Sequence, residues 1–121
     1  MAGKNLQGIL EDLLSRVAGS RGAILVDQDG IPIAQASRGS LPQLEVLGTG
    51  CTMLLRESVA ATEQLGQGPL TDLLLETQLA TLALIPLKTG CSLCLLLAPD
   101  AVPGRSVYEA RRTASALEHA L

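Results

Sequence analysis

The three cysteines, at positions 51, 91 and 94, are the residues of this sequence best suited to chemistry. Cys91-Ser-Leu-Cys94 matches the C-x-x-C spacing of zinc knuckles and redox pairs. Those sites need both sulfurs to converge at a turn or a helix start. The residues around this motif read as a strand, and a spacing of three in a strand sends the two side chains to opposite faces. No second C-x-x-C and no histidine pair exists to complete a metal site. Cys91 and Cys94 are therefore expected as separate core thiols, and Cys51, on a helix, as a small core residue. An odd count without paired spacing reads as free thiols in a reducing, cytoplasmic compartment.

The other candidates are weaker. Asp27-Gln-Asp-Gly30 resembles the opening of a calcium loop but lacks its fifth-position ligand and terminal glutamate, so it reads as a hairpin turn. His119 is the only histidine. It falls in the last turn of a helix, where the dipole favours a solvated imidazole, and Ser115 and Glu118 do not complete a triad around it. Arg38, in a loop, and Arg56, on a helix's polar strip, are the arginines placed to act in trans. Such an arginine is worth about 10³–10⁵ in GTP hydrolysis, but a lone exposed one is ordinarily just solvated. Gly48-Thr-Gly50 lies mid-helix and lacks the G-x-x-x-x-G-K-[ST] of a phosphate loop. Each glycine there costs up to about 1 kcal/mol relative to alanine. Close helix–helix approach at a dimer axis explains that cost, with close packing on a sheet or a kink as the alternative. No catalytic residue, cofactor site or metal site is assigned.

These residues sit on a regular series of elements. Leu6, Ile9, Leu10, Leu13, Leu14 and Val17 repeat with helical period, with Lys4, Gln7, Glu11, Asp12, Ser15 and Arg16 opposite and Gly19 as the stop. Residues 22–27 and 31–36 form a hairpin, and Pro32 makes the return strand an edge strand. Ser40-Leu-Pro-Gln43 reads as a capping box for a middle helix that runs to Leu65 and stops at Gly66. Strands follow over 70–77, 79–87 and 91–99. A second capping box, Ser106 to Glu109, opens the last helix.

The middle helix is unusual in having two apolar faces. Leu44, Leu47, Cys51, Leu54, Leu55 and Val59 form one. Val46, Gly50, Met53, Ala60 and Ala61 form the other. Only a narrow strip, Glu45, Thr49, Thr52, Arg56 and Glu63, stays polar. A helix apolar nearly all round is covered on two sides. The chain's own sheet covers one side, and a second subunit is inferred for the other.

Apolar residues on both faces of 22–27, 79–87 and 91–99 place those strands centrally and the other two at the edges. The expected fold is a single domain over residues 1–121. It is a three-layer α/β/α sandwich in the order α-β-β-α-β-β-β-α, around a five-stranded antiparallel sheet with strand order 2-1-5-4-3.

Composition narrows the function. The chain has 121 residues, 25 of them Leu and 15 Ala, with Tyr108 as the lone aromatic. A single aromatic ring excludes an ammonium cage and weakens a nucleic-acid reading that would rest on base stacking. The net charge is −3 with no basic run, so no nucleic-acid partner is expected. The longest uncharged runs, 77–87 and 89–99, are too short to span a membrane, and no secretory signal is visible.

At this level the sequence resembles the roadblock (dynein light-chain) family, in its bacterial MglB-like branch. The resemblance rests on Leu6-Gln-Gly-Ile-Leu-Glu-Asp-Leu14, Gly22-Ala-Ile-Leu-Val-Asp-Gln-Asp-Gly-Ile-Pro-Ile-Ala34, Ala83-Leu-Ile-Pro-Leu87, and the Leu-rich strand before Pro99-Asp100. It implies a non-enzymatic homodimeric platform, paired through the middle helix and third strand, that binds a small Ras-like GTPase and modulates its activity. The interface so implied comprises Val46, Gly50, Met53, Ala60, Ala61, Leu73 and Leu75, with Thr49, Arg56 and Glu57 meeting the GTPase. A small-ligand sensor and a structural adaptor of the dynein light-chain type are the alternatives.

Overall fold

The computed structural model describes residues 5–121. Its elements are α1 (Leu6–Arg16), β1 (Ser20–Val26), β2 (Pro32–Ser37), α2 (Leu44–Glu63), β3 (Leu73–Glu76), β4 (Thr81–Pro86), β5 (Ser92–Leu97) and α3 (Pro103–Ala120). The five strands form one antiparallel sheet in the order β2-β1-β5-β4-β3. Both the element order and the strand order are those read from hairpin pairing and two-sided strands.

Strand alternation divides the core into two layers. On one face Ala23, Leu25, Ala83, Ile85, Leu93 and Leu95 pack against Leu10, Leu13 and Leu14 of α1 and Ala110, Ala114 and Leu117 of α3. On the other, Ile24, Val26, Leu84 and Cys94 pack against Leu44, Cys51 and Leu55 of α2. Each fully buried Leu, Ile or Val among them contributes roughly 1.5–3 kcal/mol of transfer free energy. Cys91 and Cys94 fall on opposite faces, as the spacing of three requires.

The Asp27–Gly30 turn shows why an aspartate opens it. The Asp27 carboxylate accepts from the amides of Asp29 (2.8 Å) and Ile31 (3.0 Å), and the Gly30 amide donates to the Asp27 carbonyl. Gly30 adopts φ +82°, a conformation side chains resist. The carboxylate is engaged by the turn itself.

Two helix starts differ from the sequence reading. α2 begins at Leu44, and no side chain caps it at Gln43, so the Ser40–Gln43 capping box does not form. Leu41 is instead half-buried over Gly22, where a Cβ would lie 2.9 Å from Leu41 Cδ1. Seating a leucine there outweighs an exposed cap worth about 1 kcal/mol. α3 begins at Pro103, ahead of Ser106. Proline suits the first helical turn because its missing N–H has no partner there anyway. Ser106 Oγ then donates back to the Val102 carbonyl at 2.8 Å, and Glu109 is buried and engaged elsewhere. α1 is capped by Asn5, whose side chain accepts from the Gly8 amide. Lys4 lies outside the described residues.

Polar links tie the layers together. Arg16 Nε donates to Glu109 Oε1 at 3.0 Å, and Arg16 Nη2 to Thr113 Oγ1 at 3.1 Å, joining α1 to α3. Arg38 is not merely solvated. Its guanidinium donates to the Leu14 carbonyl and, at 3.4 Å, to Ser20 Oγ, closing the end of α1.

Candidate functional site

The surface that stands out is the outward side of α2 with the neighbouring edge of the sheet. Three contacts fix how α2 is rotated. Gly48 lies on β1, where a Cβ would come within 2.9 Å of Val26 Cγ1 and 3.1 Å of Ile24. Cys51 meets Cys94 of β5, with the sulfurs 3.3 Å apart. Thr49 Oγ1 donates to the Gly30 carbonyl at 2.9 Å, beyond β1 toward β2. At about 100° per residue, Leu47, Leu54 and Ala61 then fall on the flank toward β4 and β3, Val46, Gly50 and Met53 point away from the sheet, and Ala60 leans from there toward the side of Thr49 and Arg56.

That rotation leaves apolar area uncovered. Val46 is 76% exposed and Met53 66%, and Ala60 and Ala61 are exposed as well. Leu54, expected to share the sheet-facing side with Leu55, is 44% exposed. A wheel centred on the leucines places it inward, whereas the close approach of Gly48 turns the helix toward β1 and lifts Leu54 onto the flank. Below that flank, Leu73 and Leu75 of β3 and Leu82 of β4 are only half-buried at the margin of the α2-side core. The result is an apolar trough between α2 and the sheet edge.

The two glycines therefore have different surroundings. Gly48 is the close packing on the sheet. Gly50 is exposed, and a Cβ there would meet nothing within 4 Å among the described residues. No packing among the described residues accounts for a glycine at position 50.

β3 forms the floor's outer edge. Among the described residues it pairs with β4 alone, through Leu73↔Leu84, Leu74↔Ala83, Leu75↔Leu82 and Glu76↔Thr81. Its other side presents unpaired backbone groups, the usual template for a further strand. At the far edge, β2 carries Pro32 and a bulge opposite Leu25/Val26, both of which hinder strand addition. The segment leading into β3 is held from behind: Arg111 pairs with Asp72, and Thr71 Oγ1 donates to the same carboxylate at 2.8 Å. Burial pushes the Asp72 carboxyl up, but the hydrogen bonds of Arg111 and Thr71 and the Arg111 charge outweigh it, leaving Asp72 below the usual carboxylate range.

The expected GTPase-contact residues divide. Thr49 is engaged with Gly30, and Arg56 Nη2 donates to the Gln28 carbonyl at 2.7 Å, so both clip α2 to the β1–β2 turn. Glu57 is exposed, with no such engagement among the described residues.

Elsewhere His119 has no convergent catalytic partner among the described residues. His119 Nδ1 lies 2.8 Å from the Ser115 carbonyl, and Glu118 accepts from the Lys88 amide. Among the described residues no group of three or more His, Cys, Asp or Glu could hold a metal ion. No described helix is long and apolar enough to cross a membrane. An open groove between α1 and α3, beside Ile33 and Ala34 of β2, holds Arg16 and Arg112, both facing Glu109.

This arrangement has well-matched counterparts. A Roadblock/LC7 domain from Streptomyces avermitilis superposes with a TM-score of 0.84 at 19% identity, over 95% of this chain and 96% of that one. The gliding protein MglB from Thermus thermophilus gives 0.83 at 22% identity, over 93% and 84%. An MglB with a tetrameric arrangement gives 0.83 at 24% identity, over 93% and 88%. At these identities the likeness is one of fold. No curated protein matches the sequence at a significant level. The family model of the Roadblock/LC7 domain, however, matches residues 6–97, from α1 through β5. With sequence and fold in agreement over that span, this chain belongs to the Roadblock/LC7 domain family.

Proposed function

We propose that this chain is a non-enzymatic, cytoplasmic, single-domain regulatory platform. Two copies pair through α2 and β3, and the paired helices receive a small Ras-like GTPase whose activity they modulate. The observation that carries the reading is the apolar trough between α2 and β3, with an unpaired strand edge alongside it. Two copies related by a twofold axis would join β3 to β3 and set one α2 against the other, covering Val46, Gly50, Met53, Leu54, Ala60, Ala61, Leu73 and Leu75 together. An isologous contact of this kind closes on itself and leaves no template for further growth. Gly50 would allow the helices to approach closely where the chain's own fold makes no use of it. The tetrameric arrangement of one MglB fits a fold that assembles through its surfaces. Glu57, and the ridge that α2 presents beside it, are the assigned contacts for the GTPase. Thr49 and Arg56, both exposed, are proposed contacts as well, set in place by their bonds to the β1–β2 turn.

Light scattering coupled to size exclusion tests the pairing: a dimer is expected, and a stable monomer at micromolar concentration overturns it. For the regulatory role, GTP hydrolysis and nucleotide release by a candidate Ras-like partner are expected to change on adding the chain. No change and no complex would overturn the reading for that partner.

A further inference from the structure

Cys51 and Cys94 stand far apart in sequence, yet α2 and β5 bring their sulfurs to 3.3 Å, both residues being 1% exposed. Gly48, one turn earlier, is what draws the helix so close: any side chain there would collide with Val26 and Ile24. The third thiol, Cys91, lies on the opposite face of the sheet and is half-buried.

We propose that Cys51 and Cys94 are a peroxide-oxidisable pair that forms an intramolecular disulfide tying α2 to the central strand β5. The sulfurs need to close by only about 1.2 Å to reach bonding distance. Cys51 is the attacking sulfur. The hydrogen bond from Cys94 holds its thiol below the ordinary value against the opposing effect of burial, while the same bond and burial push Cys94 well up. The oxidant is hydrogen peroxide, small enough to enter on local opening of a helix that has no side-chain cap at its start. The Cys51 sulfur attacks one peroxide oxygen, the O–O bond breaks, and water leaves with a sulfenic acid formed. The Cys94 sulfur then displaces that hydroxyl. The S–S bond forms as the S–O bond breaks, and the Cys94 proton joins the departing hydroxide as a second water. Two thiols lose two electrons, and one peroxide is reduced to two waters. The linkage concerns a contact inside one chain and holds whether or not the α2 surface pairs.

The test uses the full reduced chain, exposed to hydrogen peroxide, unfolded, and alkylated before mass analysis. The expected product is a monomer lacking two hydrogens, with one alkylated thiol and a linked pair of peptides carrying positions 51 and 94. Its melting temperature should rise by several degrees and return on reduction, because the bond restricts the unfolded chain. Cys91→Ser should keep the linkage, and Cys51→Ala should abolish it. Gly48→Ala, by lifting the helix, should slow it at least several-fold without removing either thiol. Oxidation confined to Cys91, chains joined through Cys91, or Cys51 and Cys94 both recovered as alkylated thiols overturns the proposal. So does a linkage rate unaffected by Gly48→Ala.

Discussion

Gly48 of α2 rests on Val26 of β1 so closely that a Cβ would stand 2.9 Å from Val26 Cγ1. That contact sets the height and rotation of the whole helix, and the exposed trough beside β3 follows from it. Gly48→Ala gains up to about 1 kcal/mol of helix propensity but meets a rigid branched side chain, and overpacking costs typically about 1–3 kcal/mol. A net loss of stability is expected in urea unfolding. A gain would show that the helix can lift freely.

Position 50 should behave in the opposite way. Gly50→Leu places a good helix former where nothing lies within 4 Å among the described residues. The isolated chain should become more stable by up to about 1 kcal/mol. The proposed dimer should weaken at the same time. Unfolding and light scattering at several concentrations separate the two effects. Dimer affinity unchanged by a leucine at this position excludes it from the interface.

Val46→Glu combined with Met53→Glu should give a folded monomer. Both side chains are more than half exposed, so the fold should lose little. Two carboxylates on each helix would face their copies across a twofold axis, and like charges brought together in an apolar contact are strongly disfavoured. Circular dichroism should be unchanged while the mass by light scattering halves. An intact dimer would move the pairing surface away from the outward side of α2.

Arg16 and Glu109 hold α1 to α3 through an unequal pair, the carboxylate buried and the guanidinium partly in water. Arg16→Ala removes the nearer cation and leaves Arg112 at 3.6 Å. A loss of about 1–3 kcal/mol is expected, below the range for fully buried pairs because Arg16 is partly solvated and Arg112 remains. Urea unfolding checks it, and a loss under about 0.5 kcal/mol would mean that Glu109 is satisfied without Arg16.

Asp72 gives the molecule a pH-dependent anchor. Its carboxyl lies lower in the folded chain than in the unfolded one, so the Arg111–Asp72 link contributes stability above the ordinary carboxylate pKa. That contribution falls away as pH drops through the folded value. Asp72→Asn should lower the melting temperature modestly at neutral pH, by the equivalent of about 0.5–1 kcal/mol for a pair with an exposed arginine. The difference from the parent chain should shrink toward zero as pH falls below the carboxylate range. A difference constant with pH would assign the effect to packing.

The sequence alone determined the element order, the strand order and the division into two helical layers, because those follow from local periodicity. Period-2 apolar alternation marks strands, period-3.6 marks helices, and short turns such as Asp27–Gly30 force neighbours to pair. The excess of apolar residues on the middle helix was legible for the same reason. Cap positions were less so: Ser40 and Ser106 carry the right pattern, but burying Leu41 over Gly22 and starting α3 at Pro103 are non-local or competing choices that a spacing rule does not weigh. Only the tertiary structure decided which glycine touches the sheet, that Leu54 is open, that Arg38, Thr49 and Arg56 are engaged within the chain, and that Cys51 meets Cys94. Each of these depends on the height and rotation of α2 over β1 and β5. Those are set by contacts between residues distant in the chain, and no periodicity within one segment records them.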